Sequence, residues 1–280
     1  LRNWDGNYYM FITNRGGKVR CMRPYDNNDL KGTWYETIAY EMPSWMQAGW
    51  APAVVRVGNE YRMYLTVYDT RNSDPRVIYL LTSNNPASGY VLQNIVIPGG
   101  AGGCSDIADA AIDGNYIYYG GALGGGCYMA DLSNNGRTAS NFRQATGLTN
   151  FSEGACVGNV PGVGKVMLYA RGFYDQYSYG TNWATGGPEN WTYQGQVNFP
   201  EADQYLFALG HASTSNGWIA VNSKRHAPAS SNRSVAIGRL SLNGNSLQGA
   251  RIAEDFTDID VVAEFGEVRT SDLAIYPNPI

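Results

Sequence analysis

Five short phrases along the chain carry residues able to do chemistry at matched positions. They read Trp50-Ala51-Pro52-Ala53-Val54, Ser105-Asp106-Ile107-Ala108, Ser152-Glu153-Gly154-Ala155, Gly210-His211-Ala212-Ser213 and Ser271-Asp272-Leu273-Ala274-Ile275. Their second letters collect Ala51, Asp106, Glu153, His211 and Asp272. If the phrases lie on equivalent strands around an axis, three carboxylates and one imidazole converge on a small volume. Like charges in a partly dry site repel and raise one another's pKa, so convergence costs stability. A fold that keeps it points to a functional site. Two carboxyl groups facing across a pocket suit hydrolysis of a glycosidic bond, one donating a proton to the leaving oxygen and the other activating water. A third can keep the acid protonated until it is needed. Acyl transfer would want a Ser, Cys or Thr nucleophile beside the His, and phosphoryl transfer a denser metal cage. The ring offers neither.

The elements that must position these residues repeat with them. After each of the first four phrases comes a Gly-centred turn and an aromatic or aliphatic run: Gly58 to Tyr64, Asp113 to Tyr119, Gly164 to Tyr169 and Asn216 to Val221. This is a hairpin signal. The fifth phrase sits too near the C-terminus for its own hairpin, and Trp4-Asp5-Gly6-Asn7-Tyr8-Tyr9 near the N-terminus supplies one. The phrases are 55, 47, 58 and 61 residues apart, and 59 separate the last from the first through the termini. Such a period, about four strands per unit, is the mark of a β-propeller. The expectation is an all-β fold, residues 1–280 forming a single five-bladed β-propeller domain. Its first blade would be closed by the C-terminal strand as innermost strand. Third strands are expected at Lys18–Met22 and Val77–Thr82, an outer strand of the third blade at Cys127–Ala130, and a strand of the fifth at Val235–Leu240. A long Tyr- and Gly-rich connection is expected from Gly172 to about Glu189, and an acidic, solvated return path from Asp255 to Glu267.

Composition narrows the partners. The chain has 34 Gly, 21 Tyr and 7 Trp, with only 16% charged residues, which suits short strands and a sugar- or peptide-facing surface. Net charge is −4 with no basic cluster, which argues against nucleic acid. No apolar run is long enough to span a membrane. No window carries a sustained helical period. The loop Gly120 to Gly126 lacks the Lys-Ser/Thr and following helix of a phosphate loop and reads as a hairpin. Cys21, Cys104, Cys127 and Cys156 show no metal spacing, and a disulfide among them is left open. A start at Leu1 without Met is permissive of secretion, and a secreted monomer is expected.

Further candidates surround the ring. Asp109 rivals Asp106, since it too precedes the Asp113-Gly114 turn, and the phrase alignment favours Asp106. Trp50 could stack on a sugar face or pack between blades. Arg171 and Arg225, each just past a second strand, could anchor a site carboxylate or a substrate hydroxyl. With only His211 and His226 in the chain, a transition-metal site is disfavoured, and no cofactor is required. His211 could hold a water network or a hydrated calcium on the axis.

These residues resemble glycoside hydrolase family 43 and its five-bladed relatives. The resemblance rests on Trp50-Ala51-Pro52-Ala53-Val54, Asp106 before Asp113-Gly114-Asn115-Tyr116, Ser152-Glu153-Gly154, and Gly210-His211-Ala212-Ser213 followed by the Trp218 strand. It runs through all five blades. It implies an inverting glycosidase acting on arabinose- or xylose-containing polysaccharides or oligosaccharides. Carried over, Asp272 matches the general base, Asp106 the residue that tunes the proton donor, Glu153 the general acid, and His211 the axial histidine facing a calcium. Two departures stand out: Pro is missing after Asp272 and after Asp106, and the base-bearing phrase lies at the C-terminus, so the blade order is permuted. The competing reading, of another class, is a non-catalytic carbohydrate-binding propeller whose rim aromatics bind glycan. A protein-interaction propeller is a third, disfavoured by three acids on the axis.

Overall fold

The computed structural model describes residues 1–28, 30, 34–121, 125–173, 176, 178–199, 206–225, 234–251 and 261–263. Among them the chain is strand and turn, with one 3-10 turn at Ala101–Gly103 and no α-helix. Five antiparallel groups follow in order. The first holds β1 (Arg2–Trp4), β2 (Asn7–Arg15), β3 (Lys18–Pro24) and β4 (Trp34–Glu41). The second holds β5 (Met46–Val57), β6 (Glu60–Asp69), β7 (Arg76–Ser83) and β8 (Val91–Ile97). The third holds β9 (Ile107–Asp113), β10 (Tyr116–Gly121), β11 (Gly126–Leu132) and β12 (Ala139–Gln144). The fourth holds β13 (Glu153–Val160), β14 (Gly164–Arg171), β15 (Gly180–Gly186) and β16 (Trp191–Gln196). The fifth holds β17 (Leu206–Ser215), β18 (Trp218–Arg225), β19 (Ser234–Asn243) and β20 (Ser246–Arg251). A parallel pairing of Gly180 with Leu209 joins the fourth group to the fifth, and a parallel bridge of Asn198 with Gln248 ties the segment after β16 to β20. The last strand, β21 (Val261–Ala263), runs parallel to β4.

Turn chemistry sets these pairings. Asp5 and Gly6, and likewise Asn216 and Gly217, have φ of 54° and 84°, and 54° and 75°. Two successive left-handed residues match the twist of a tight hairpin. The four expected segments are all strands, β3, β7, β11 and β19, and the two expected as third strands lie third in their groups as β3 and β7. Side chains then alternate between two neighbours. Met63, Leu65 and Val67 of β6 pack with Tyr9, Val19 and Cys21 of the first group. Tyr64, between them, packs with Ile107 and Tyr119 of the third. Further cores lie between the third and fourth groups around Tyr118, Met167 and Trp191, and between the fourth and fifth around Leu168, Trp183 and Ile219. A fifth core joins Tyr8, Met10 and Trp34 of the first group to Trp218, Ala220 and Ile237 of the fifth. Each buried Leu, Ile, Met or Phe contributes roughly 1.5–3 kcal/mol of transfer free energy. All four cysteines are free thiols and buried in this packing.

Two expectations are corrected. The place beside β2 belongs to β1, delivered directly by the Asp5-Gly6 turn, and not to a C-terminal strand. The described C-terminal residues instead extend the first group at its opposite edge, as β21 beside β4. The phrase Ser271 to Ile275, with Asp272, lies outside the described residues. The stretch from Gly172 to Glu189 is not one long connection, because β15 runs through it. Its composition reads as loop, yet Trp183 packs with the fifth group's residues and Ala184 with the third's, which is the two-sided burial of an interior strand.

Candidate active site

The leading strands β5, β9, β13 and β17 each pair with the next strand around a bulge. Trp50 pairs with Thr66 but Ala53 with Tyr64, so Ala51 and Pro52 oppose one residue. The same irregularity places Ala108 and Asp109 in β9, Gly154 and Ala155 in β13, and His211 and Ala212 in β17. Ala51, Gly154 and His211 take φ of 41°, 71° and 51° there. A left-handed conformation at two non-glycine residues costs on the order of 1–3 kcal/mol each, and such strain gathers at functional sites, as bulges do.

The bulges revise the expected ring. In bulge register Ala51, Ala108, Gly154 and His211 are equivalent, Glu153 lies one residue earlier, and Asp106 two earlier, ahead of β9 itself. Ala51, Asp106, Glu153 and His211 therefore do not share one level. An extra residue in each leading strand re-aims the side chains after it, and sequence spacing alone cannot register that.

Asp109, not Asp106, is the carboxyl turned toward Glu153 and His211. It is 1% exposed. Its Oδ2 accepts the Ala155 backbone N–H at 2.8 Å, from the bulge of the neighbouring strand. Its buried Oδ1 has no hydrogen-bond partner among the described residues. Burial pushes its pKa up to about 6, against the pull of His211, and the nearby Glu153 charge adds to the rise; the N–H groups of Ala155 and Gly154 oppose it. Asp106 instead pairs with Arg76 Nη1 at 2.5 Å. The Arg76 guanidinium also stands 5.0 Å from the centroid of the Trp50 ring, making Trp50, Arg76 and Asp106 a second polar and aromatic cluster.

Glu153 opens β13 and is half-buried. Its Oε1 accepts a hydrogen bond from the Tyr179 hydroxyl at 2.7 Å. His211 packs against Gly154, where an added Cβ would stand 3.0 Å from His211 Cα and Cγ. Only a residue without a side chain fits between the imidazole and β13. Arg171 Nη2 donates to Gln196 Oε1 at 2.9 Å, turned to β16 and not to a site carboxylate. Arg225 ends β18 opposite Leu206, and its side chain lies outside the described part, as does Asp272. Among the described residues no group of three or more His, Cys, Asp and Glu is placed to hold a metal. A calcium ion takes six to eight oxygen ligands, waters among them, and no step below runs through a cation. Sequence reading did not single out Tyr179 or Arg76. Tyr179 stands in a stretch whose composition reads as loop, and Arg76 opens β7 without any motif.

The fold is shared with solved structures of glycoside hydrolase family 43. The chain is similar to a thermostable family-43 glycoside hydrolase, with a TM-score of 0.67 and 19% identity over 88% of this chain and 90% of that one. It is also similar to a xylan β-1,4-xylosidase from Bacillus halodurans C-125, with a TM-score of 0.67, 15% identity and 89% of this chain covered. There the chain spans about half of the larger protein, 53%. An exo-1,5-α-L-arabinanase from a bovine ruminal metagenomic library matches with a TM-score of 0.62 and 14% identity, over 87% of this chain and 92% of that one. No family model matches the sequence, and no curated protein matches it.

Proposed function

We propose that the chain is a glycoside hydrolase built as a closed five-bladed β-propeller, each antiparallel group being a blade, and that it hydrolyses arabinose- or xylose-containing polysaccharides or oligosaccharides with inversion. The observation that carries this reading is the buried Asp109 carboxyl, bonded to the Glu153-Gly154-Ala155 bulge and facing His211. A protein that only bound glycan on its rim would have no use for a costly buried carboxyl beside a second acid. Glu153 is not held in an ion pair among the described residues, which leaves it available for proton transfer. The names of the similar structures, which concern xylan and arabinan, support the substrate class.

In the proposed step Glu153 gives its proton to the glycosidic oxygen as the bond to the anomeric carbon breaks, its electron pair leaving with that oxygen. Water attacks the opposite face of the sugar and yields its proton to a base carboxylate. Asp272 is the proposed base. Asp109 stands beside Glu153 and is bonded to the bulge that follows it. Trp50, held beside Arg76, offers a flat apolar face to a sugar ring.

The test is sugar release from arabinan, arabinoxylan, xylan, galactan and aryl furanosides and pyranosides by the wild-type chain and Glu153→Gln. Activity on one glycan class should fall by about 10²–10⁴-fold in the variant, the usual worth of a general acid. Glycan binding without turnover in the wild-type chain would instead leave a carbohydrate-binding protein.

A further inference from the structure

We infer that Tyr179 is a positioning residue that fixes the Glu153 carboxyl and assigns its two oxygens different tasks; the inference rests on the reading of Glu153 as proton donor. Tyr179 is 3% exposed, and its hydroxyl donates to Glu153 Oε1 at 2.7 Å. That length is typical of a charge-assisted bond to a carboxylate. The ring is fixed from two sides. It lies so close to Gly210 that an added Cβ there would stand 2.3 Å from a ring carbon. Its backbone N–H donates to Gln176 O at 3.1 Å, and Gln176 N donates to Phe173 O at 2.9 Å, just ahead of β15.

The same short stretch ties two strands together. Gly180, the next residue, makes the parallel pairing with Leu209, and Thr181 Oγ1 donates to Leu209 O at 2.8 Å. Leu209 and Gly210 lead directly into the left-handed His211. Tyr179 is thus wedged between the proton donor on β13 and the His211 bulge on β17. With Oε1 occupied by the phenol and Oε2 without a hydrogen bond among the described residues, Oε2 is the oxygen left to carry the proton and hand it to the leaving group.

Tyr179→Phe removes the hydroxyl and keeps the ring, so the packing on Gly210 survives. Losing a hydrogen bond to a charged group should lower kcat by roughly 10- to 100-fold on an oligosaccharide, whose alkoxide needs the proton, with KM changed by less than about 3-fold. On an aryl glycoside with a strongly acidic phenol, which departs without help, the loss should shrink to less than about 3-fold. Equal losses on both substrates, or none on either, would overturn the inference. A second arm needs no turnover. Crystal structures of the wild-type chain and Tyr179→Phe should show the Glu153 carboxyl in one place in the former and rotated or split in the latter. An unmoved carboxyl overturns the role of Tyr179 whatever the activity. A wild-type chain inactive on every glycan, with Glu153 displaced in the variant, would overturn the glycosidase reading while upholding the tie between Tyr179 and Glu153.

Discussion

At the scale of single residues, Asp109 carries the sharpest consequence. Its pKa is pushed up from 3.8 to about 6, chiefly by burial. Below pH 4 the folded and unfolded chains both hold the proton. Between about 4 and 6 the fold keeps a proton that the unfolded chain releases, and above 6 the fold must carry a buried charge. The stabilisation is therefore present at acid pH and lost as pH rises through about 6, a swing on the order of 3 kcal/mol. Asp109→Asn stays neutral and can still accept the Ala155 N–H. We predict that it melts at a higher temperature than the wild-type chain at pH 8, with the advantage shrinking toward pH 4.5, while turnover falls. A melting difference that is the same at both pH values would contradict the raised pKa. The sequence narrowed this carboxyl to two candidates, and spacing favoured Asp106. What separates them is tertiary: Asp106 finds Arg76 from β7, and Asp109 meets the N–H of Ala155 from β13. Neither partner is near in sequence.

At the scale of elements, the bulges matter more than the strands. Hairpins and third strands were legible because a Gly turn followed by alternating aromatic and β-branched residues admits few other structures. The bulges were not, since an extra residue in a pairing leaves no mark on composition. β15 was hidden for another reason: Gly180, Thr181 and Asn182 look like turn residues, and only burial from both sides makes them strand. These elements meet at Gly210, and a methyl group there should force the Tyr179 ring away from Glu153 while leaving both residues in the chain. Gly210→Ala is expected to lose about 1–3 kcal/mol of stability by overpacking and to lower turnover as Tyr179→Phe does. Gly249→Ala is the control, because its added Cβ would stand 2.5 Å from the Phe199 ring, on the outer strand β20. It should cost similar stability in a denaturant titration and leave turnover per folded molecule unchanged. Equal loss of turnover in both would mean that the Gly210 effect is general destabilisation.

At the scale of the whole molecule, the question is what holds the first and fifth groups against each other. Every other pair of neighbouring groups follows directly in sequence. The repeat implied a ring, and its arithmetic assigned the joint to a C-terminal strand beside β2. The described residues put apolar packing between the two groups instead: Tyr8, Met10 and Trp34 meet Trp218, Ala220 and Ile237. Trp218 is buried on this face, and the Arg239 guanidinium stacks on its ring with its central carbon 3.3 Å from the ring centroid. Packing of this kind couples two groups far apart in sequence, so damage on one side should be felt on the other. Trp218→Ala should cost about 3–5 kcal/mol, the usual loss for a buried Trp. Hydrogen exchange is the informative measurement, because it reads local opening segment by segment. If the shared core ties the groups together, amides of β2 and β3 exchange faster in the variant along with those of β18 and β19, while β9 to β11, on the far side, change only by the global loss. Faster exchange confined to β17 through β20 would mean that the first group stands without the fifth, and that this core does not hold the two together.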